Sequence, residues 1–421
     1  DAQRLYANQE AVRLLGRAIE MLRRLPDTTE RQQRELAFLT ALPAPLVAIE
    51  GYRSARLRDA HQRAEALAAE LGVVPAPPLL RSLAMAGLSA GDFDGARAAG
   101  ERLCRWGERD GDDIVVVQSG YVLGIAAFWM GDLDAARRSF EMALARYRPA
   151  QRHDHLLGYG HDPEIAVRMR LGLTLWFLGD PDAAVRERDR ALALADAIGH
   201  PYSAAVTRVF AAMLALEMRD PERVRLYARH LWDADVVRDA WHLQVMAEAY
   251  RGYLDALAGD GDAGIDRIQR AFDDPRGTEP EAPGADAIVS RVLLETCRVA
   301  GDARRGLAAV ESALAASDPA QLWQAEVLRL RAEFMSALGH PAADVESGFE
   351  AAAVLAGQQG ALMLELRAVT SLLRWQRQRP DHPGSTDDTR TRLAAIVARL
   401  PKGRDLPDVQ EAIALLGAAG A

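Results

Sequence analysis

Residues 123–143, LGIAAFWMGDLDAARRSFEMA, read as two helices joined by a turn. An apolar run through Met130 stops at Gly131, and Asp132-Leu133-Asp134 opens a second segment. Glycine accepts the left-handed backbone that ends a helix, and the second aspartate of the turn, Asp134, can cap the amides that open the next. The small pair Ala135-Ala136 then lets the second helix lie close against the first. The same turn recurs as Gly91-Asp92-Phe93-Asp94, Gly179-Asp180-Pro181-Asp182 and Gly259-Asp260-Gly261-Asp262. With Gly51, Gly301 and Gly339 added, and Arg219 filling one missing beat, the intervals are 40, 40, 48, 40, 40, 42 and 38 residues. A period in this range marks stacked helix pairs, because one pair cannot bury its apolar face alone.

Aligned on the turn glycine, the units bring Leu123-Gly124, Ala136, Phe140 and Ala143 into register with Leu171-Gly172, Ala184 and Ala191. This is similar to the tetratricopeptide (TPR) pattern, lengthened beyond its usual 34 residues and degenerate, with Arg188, Gly100 and Gly348 replacing the aromatic. The expected fold is an all-α, right-handed α-solenoid of about sixteen to eighteen antiparallel helices. The repeats are expected over residues 1–360, starting in mid-repeat, with a degenerate C-terminal helical repeat or cap over 361–421. Asp1 in place of a methionine suggests a piece of a longer polypeptide.

The chain is 49% hydrophobic, with no apolar run near the roughly 20 residues of a membrane helix. With no signal peptide either, a cytoplasmic location is expected. Sixty acids against 51 bases, of which only Lys402 is lysine, give −9 and no basic block. That argues against nucleic-acid binding by this segment. Cys104 and Cys297 lie nearly five periods apart and read as reduced core thiols.

The 48-residue interval contains QRHDHLLGYGHDP, residues 151–163, with His153, His155 and His161. These with Asp154 and Asp162 offer donors for a divalent metal, although the spacing matches no standard zinc motif. The other reading is a structural elbow, in which Asp162-Pro163-Glu164 starts a helix with an N-cap acid, proline at the first position and acid in the first turn. The elbow reading is adopted, with no metal and no cofactor assigned.

The segment Tyr159-Gly160-His161-Asp162-Pro163, followed by Leu171 to Gly179, resembles the Y-G-x-D-P segment in the TPR tails of bacterial multidomain signalling ATPases of the STAND type. Leu25 to Arg31 and Gly51-Tyr52 resemble the same tails, and the similarity runs from about Asn8 to about Leu355. The resemblance implies an upstream P-loop ATPase, often with a class III adenylate or guanylate cyclase or a DNA-binding domain, whose repeats sense or recruit.

The chain has no GxxxxGK[ST], GxSxG, HExxH or CxxC, so no enzymatic activity is expected of this segment. In TPR units the inner face of helix A would carry Tyr121, Ile125, Phe128 and Trp129, then Met169, Leu173, Trp176 and Phe177, then Val209, Met213, Leu216 and Tyr253. Such a face forms an apolar groove for a peptide, the upstream ATPase or a small effector, or it packs between neighbouring units. The expected function is a protein-interaction or effector-sensing module, the regulatory tail of a larger signalling ATPase, cyclase or transcriptional regulator. The alternatives are a free-standing TPR adaptor and a metal-dependent activity at His153–Asp162.

Overall fold

Every beat of the sequence period is a left-handed turn. The seven glycines have φ between 71° and 98°, and Arg219 takes φ 53° in the same place. The structure, a computed structural model, describes residues 2–52, 54–159, 162–234, 237, 240–273, 284–315, 321–379, 386–400 and 403–417. The connection expected at 273–286, and Gly160 and His161, lie largely or wholly outside these.

After six of the eight turns an aspartate opens the next helix, while Ser54 caps the helix after Gly51. Asp92, Asp132, Asp180, Asp220, Asp260 and Asp302 each accept the amide of the residue three further on, at 2.9–3.4 Å. The cap is therefore the first aspartate of the turn, not the second. Asp94, Asp134, Asp182 and Asp262 fall inside the first helical turn, where a negative charge meets the positive end of the helix. A second glycine series, Gly72, Gly111, Gly199 and Gly360, also takes positive φ and closes the second helix of a pair.

The helices are α1 (Ala2–Arg23), α2 (Thr29–Ala41), α3 (Pro43–Glu50), α4 (Ala55–Glu70), α5 (Pro77–Ala90), α6 (Phe93–Asp110), α7 (Asp113–Met130), α8 (Leu133–Arg146), α9 (Arg152–Tyr159), α10 (Pro163–Phe177) and α11 (Pro181–Ile198). They continue as α12 (Pro201–Glu217), α13 (Pro221–Trp232), α14 (Trp241–Leu257), α15 (Gly261–Phe272), α16 (Ala285–Ala300), α17 (Ala303–Ala315), α18 (Gln324–Ala337), α19 (Ala342–Gln358), α20 (Leu362–Arg377), α21 (Thr386–Ala398) and α22 (Pro407–Gly417). No strand occurs among the described residues. Twenty-two α-helices occur among the described residues, more than the sixteen to eighteen expected, because α1, α2, α9, α20, α21 and α22 add to the sixteen helices joined at the eight turns. Among the described residues, α7 alone is long and apolar enough to cross a bilayer, and 78% of it is buried inside the fold.

The fold is an all-α solenoid of helix-turn-helix repeats with TPR-like register. Gly124 shows why. A Cβ there would come within 2.3 Å of the Phe140 ring, so the glycine lets the aromatic of the partner helix lie against its backbone. Ala136, Phe140 and Ala143 are all buried, as that register requires.

Contacts divide the chain into two compact units, and not at residue 360. The described part of the first is 2–127 and 138–167, with a core that includes Leu39, Leu46, Leu57, Ala64 and Leu67. The second holds 128–137, 168–273 and 284–417. In it, α12 pairs with α13, α14 with α15 and α18 with α19, and α20 continues the stack. Almost all of α20, from Leu362 to Gln376, is buried, and α21 and α22 pack on it.

Candidate functional site

All twelve residues assigned to the inner face are buried. Phe128, Trp129, Leu173, Trp176, Phe177 and Met213 have no exposed surface, and Tyr121, Ile125, Met169 and Tyr253 reach 6% at most. Val209 and Leu216 are buried with them. In the second unit the chain itself covers this face. Trp323 sits 6.0 Å from Trp129 and 6.3 Å from Phe177 between ring centroids, and the Arg367 guanidinium lies 4.9 Å over the Trp176 ring. The Gln321 amide donates to the Trp129 carbonyl at 2.7 Å. Gly284, at φ 71°, comes so close to the Trp129 ring that a Cβ there would lie 2.2 Å from it. The part of this face that lies within the second unit, Trp129 with Trp176 and Phe177, is thus covered by Gly284, Gln321, Trp323 and Arg367.

Beside the aromatics is a site that the sequence reading missed. Glu217, at the end of α12, is fully buried. It accepts from Arg291 at 2.9 Å, from Arg367 at 2.7 Å and from the Trp323 indole N–H at 2.9 Å. Arg367 also donates to the Glu217 carbonyl and, at 2.9 Å, to Asp408. Arg291 bonds Glu295, which pairs in turn with Arg298. Arg329 forks onto Glu326 with two 2.8 Å bonds and reaches Glu333 at 2.6 Å. Arg374 and Arg219 close the set onto Glu333, Glu411 and Asp408. Arginines 219, 291, 298, 329, 367 and 374 thus face Glu217, Glu295, Glu326, Glu333, Asp408 and Glu411, so the formal charge cancels.

Burial works against the charges of Arg291, Glu295, Arg298, Glu326, Arg329 and Arg367, and their partners outweigh it. The Arg291 guanidinium is held more firmly protonated than usual by Glu217, Glu295 and Glu326. The Glu295 carboxyl, which burial alone would raise, is kept well below the carboxylate range by Arg291 and Arg298. A buried pair of this kind adds little net stability over an apolar core, but it fixes one arrangement, because a misplaced helix would leave charges unpaired. The legible signal was a charge on an apolar helix face: Glu217 closes the run AAMLALE, and Arg291 and Glu295 stand one turn apart in IVSRVLLE.

In the first unit, the 147–164 segment is built around Asp162. The Tyr147 hydroxyl and Arg152 Nε donate to its Oδ2 at 3.0 and 2.6 Å, while Oδ1 accepts the Glu164 amide at 3.1 Å. Asp162 therefore opens α10 and ties it to α9 and to Tyr147, the residue that follows α8. His155 is buried, stacks on Tyr147 at 5.5 Å and meets the Gln118 amide at 3.0 Å. His153 is exposed. These two imidazoles do not converge, and no cluster of three metal-ligating groups forms among the described residues. Tyr159 is half-buried, its hydroxyl pKa pushed up to about 12 by burial and Asp112. Pro163 is buried at the first position of α10.

No family model matches this sequence, and no curated protein does. Among solved structures, the TPR domain of P58(IPK) aligns with 87% of this chain and 98% of its own, at 14% identity and a TM-score of 0.23. A likeness that low carries no argument. The repeat assignment rests on the chain's own turns, caps and register contacts.

Proposed function

We propose that this chain is a protein-interaction and effector-sensing module with no catalysis of its own, serving as the regulatory tail of a larger bacterial signalling ATPase in the cytoplasm. The observation that supports this best is the second unit's interior. Its buried ionisable groups are engaged with one another, and its aromatic row is sealed by later repeats. Such an interior specifies a conformation, whereas an active site leaves a reactive group poised toward a cleft. Of the segment through which the sequence resembles the ATPase tails, Asp162 and Pro163 open α10, which supports a structural role for it.

The test is site-specific photo-crosslinking of the parent polypeptide in its native cells, with the probe placed in turn at exposed Leu157, Tyr202, Leu226 and Val354. At least one position is expected to yield a discrete crosslink. A crosslink to an upstream segment of the same polypeptide supports a regulatory tail, and one to a separate protein supports an adaptor. No crosslink from any face, or ATP hydrolysis, cyclase or esterase turnover by the isolated chain, would overturn the proposal.

A further inference from the structure

Arg219 occupies a beat of the repeat where every other unit has glycine, and it does so at φ 53°. A side chain there is strained by roughly 1–2 kcal/mol relative to glycine. The side chain has a use that glycine lacks. Its Nε lies 2.9 Å from Asp408 Oδ1, an ionic contact rather than an aligned hydrogen bond, and its Nη1 donates to Glu411 at 3.2 Å. Both carboxylates belong to α22, three residues apart and so on one face of that helix. Arg367 grips Asp408 from beneath at 2.9 Å, and Arg374 grips Glu411.

Helix α22 itself is short, 11 residues, and a free helix of that length is marginal in water. Its fully buried apolar contribution is Val409 and Ala412. Ile413 is exposed at 36%, and a cleft of about 440 Å³ between the 218–223 turn and the 403–407 loop leaves one flank of its docking site open. The helix is therefore positioned by two carboxylates on three arginines together with a small apolar footprint, Val409 and Ala412 buried and Leu415 and Leu416 half-buried.

We infer that Arg219, Arg367 and Arg374 form a docking socket for a short helix carrying carboxylates at positions i and i+3, and that α22 is its occupant in cis. This rests on the interaction reading above and deepens it by naming the chemistry of the partner: an acidic amphipathic helix that displaces α22 by presenting the same pair of charges. Charge complementarity selects that partner. A basic or neutral helix would leave Arg219 without a carboxylate and would remove one each from Arg367 and Arg374, which keep only Glu217 with Glu326 and Glu333 respectively, on release of α22.

The experiment uses the full 421-residue chain. Arg219→Gly restores the residue that the turn geometry favours, so it removes both ion pairs without straining the turn. By hydrogen–deuterium exchange, amides 408–417 in this variant should exchange at least tenfold faster than in the parent, while those of α20 stay unchanged. Separately, Asp408→Asn/Glu411→Gln leaves all three arginines in place but discharges α22. A fluorescein-labelled peptide of residues 403–417 should bind this variant at least tenfold more tightly than the parent chain, lose affinity between 50 and 500 mM NaCl, and fail to bind when its own two acids are amidated. Unchanged exchange in Arg219→Gly, faster exchange shared equally by α20, or a peptide that does not distinguish the variant from the parent would each overturn the inference. None of these results bears on the crosslinking outcome, so the two readings fail separately.

Discussion

Glu217 is a single residue on which four elements depend. It ends α12 and receives Arg291 from α16, Arg367 from α20 and Trp323 from the start of α18. Removing one partner of a buried ion pair strands the others. Glu217→Ala leaves two guanidinium groups and an indole N–H without their acceptor, and is expected to destabilise the second unit by about 3–5 kcal/mol. Glu217→Gln keeps an acceptor for Trp323 and one arginine, and should lose about half as much. Urea melts followed by tryptophan fluorescence measure both. Equal losses for Ala and Gln would mean that side-chain volume rather than charge matters at this position. Arg219 makes the same point about sequence reading. Its missing glycine was legible as a gap in the period, but the reason was not, because Asp408 and Glu411 lie almost two hundred residues away.

At the scale of elements, what was legible is what the chain decides locally. Turn glycines, capping aspartates and the Gly124–Phe140 contact depend on residues within one repeat, and the period displayed them. The capping role was misplaced by two residues, since both aspartates of each turn suit a helix start and only backbone geometry separates them. The fate of the inner-face aromatics was not legible, because whether they line a groove or a core depends on where later repeats return. The elbow was legible from Asp162-Pro163-Glu164, but Tyr147 and Arg152 as its partners were not. Those partners set a larger effect than cap loss alone, which is about 1 kcal/mol. Asp162→Ala removes the cap and both side-chain contacts, and is expected to destabilise by about 2 kcal/mol. Asp162→Asn retains the cap and should lose about 1 kcal/mol. Denaturant midpoints of the two variants check this, and equal effects would show that the Arg152 and Tyr147 contacts contribute nothing.

At the scale of the whole molecule, the two units differ in how acid should act on them. The first buries two imidazoles. His61, held against the Ser82 hydroxyl at 3.0 Å, has its pKa lowered by burial from 6.5 to about 4, and His155 is lowered by burial too, against the opposing pull of Asp162 and nearby aspartates. A group protonated more readily when unfolded removes stability as pH falls from its ordinary value toward its folded one. His61 alone therefore contributes a loss on the order of 2 kcal/mol between pH 6.5 and pH 5. The second unit's network behaves otherwise. Burial opposes ionisation of Glu295 and Glu326, their arginine partners more than compensate, and both carboxyls are held well below 4.5. Their stabilisation is intact above that value and is lost only as pH drops through the folded pKa values. Trp106 lies in the first unit and Trp129, Trp176 and Trp323 in the second, so fluorine NMR of 5-fluorotryptophan protein reports on each separately. In urea at pH 5, the Trp106 signal is expected to reach its unfolded position at a lower concentration than at pH 7, while the midpoints for Trp129 and Trp323 barely move. His61→Gln, which retains a hydrogen-bonding group toward Ser82 but cannot titrate, should flatten most of the Trp106 dependence. A Trp106 midpoint that is flat in the parent chain, or one that falls as steeply in His61→Gln, would rule out the buried imidazole as the cause.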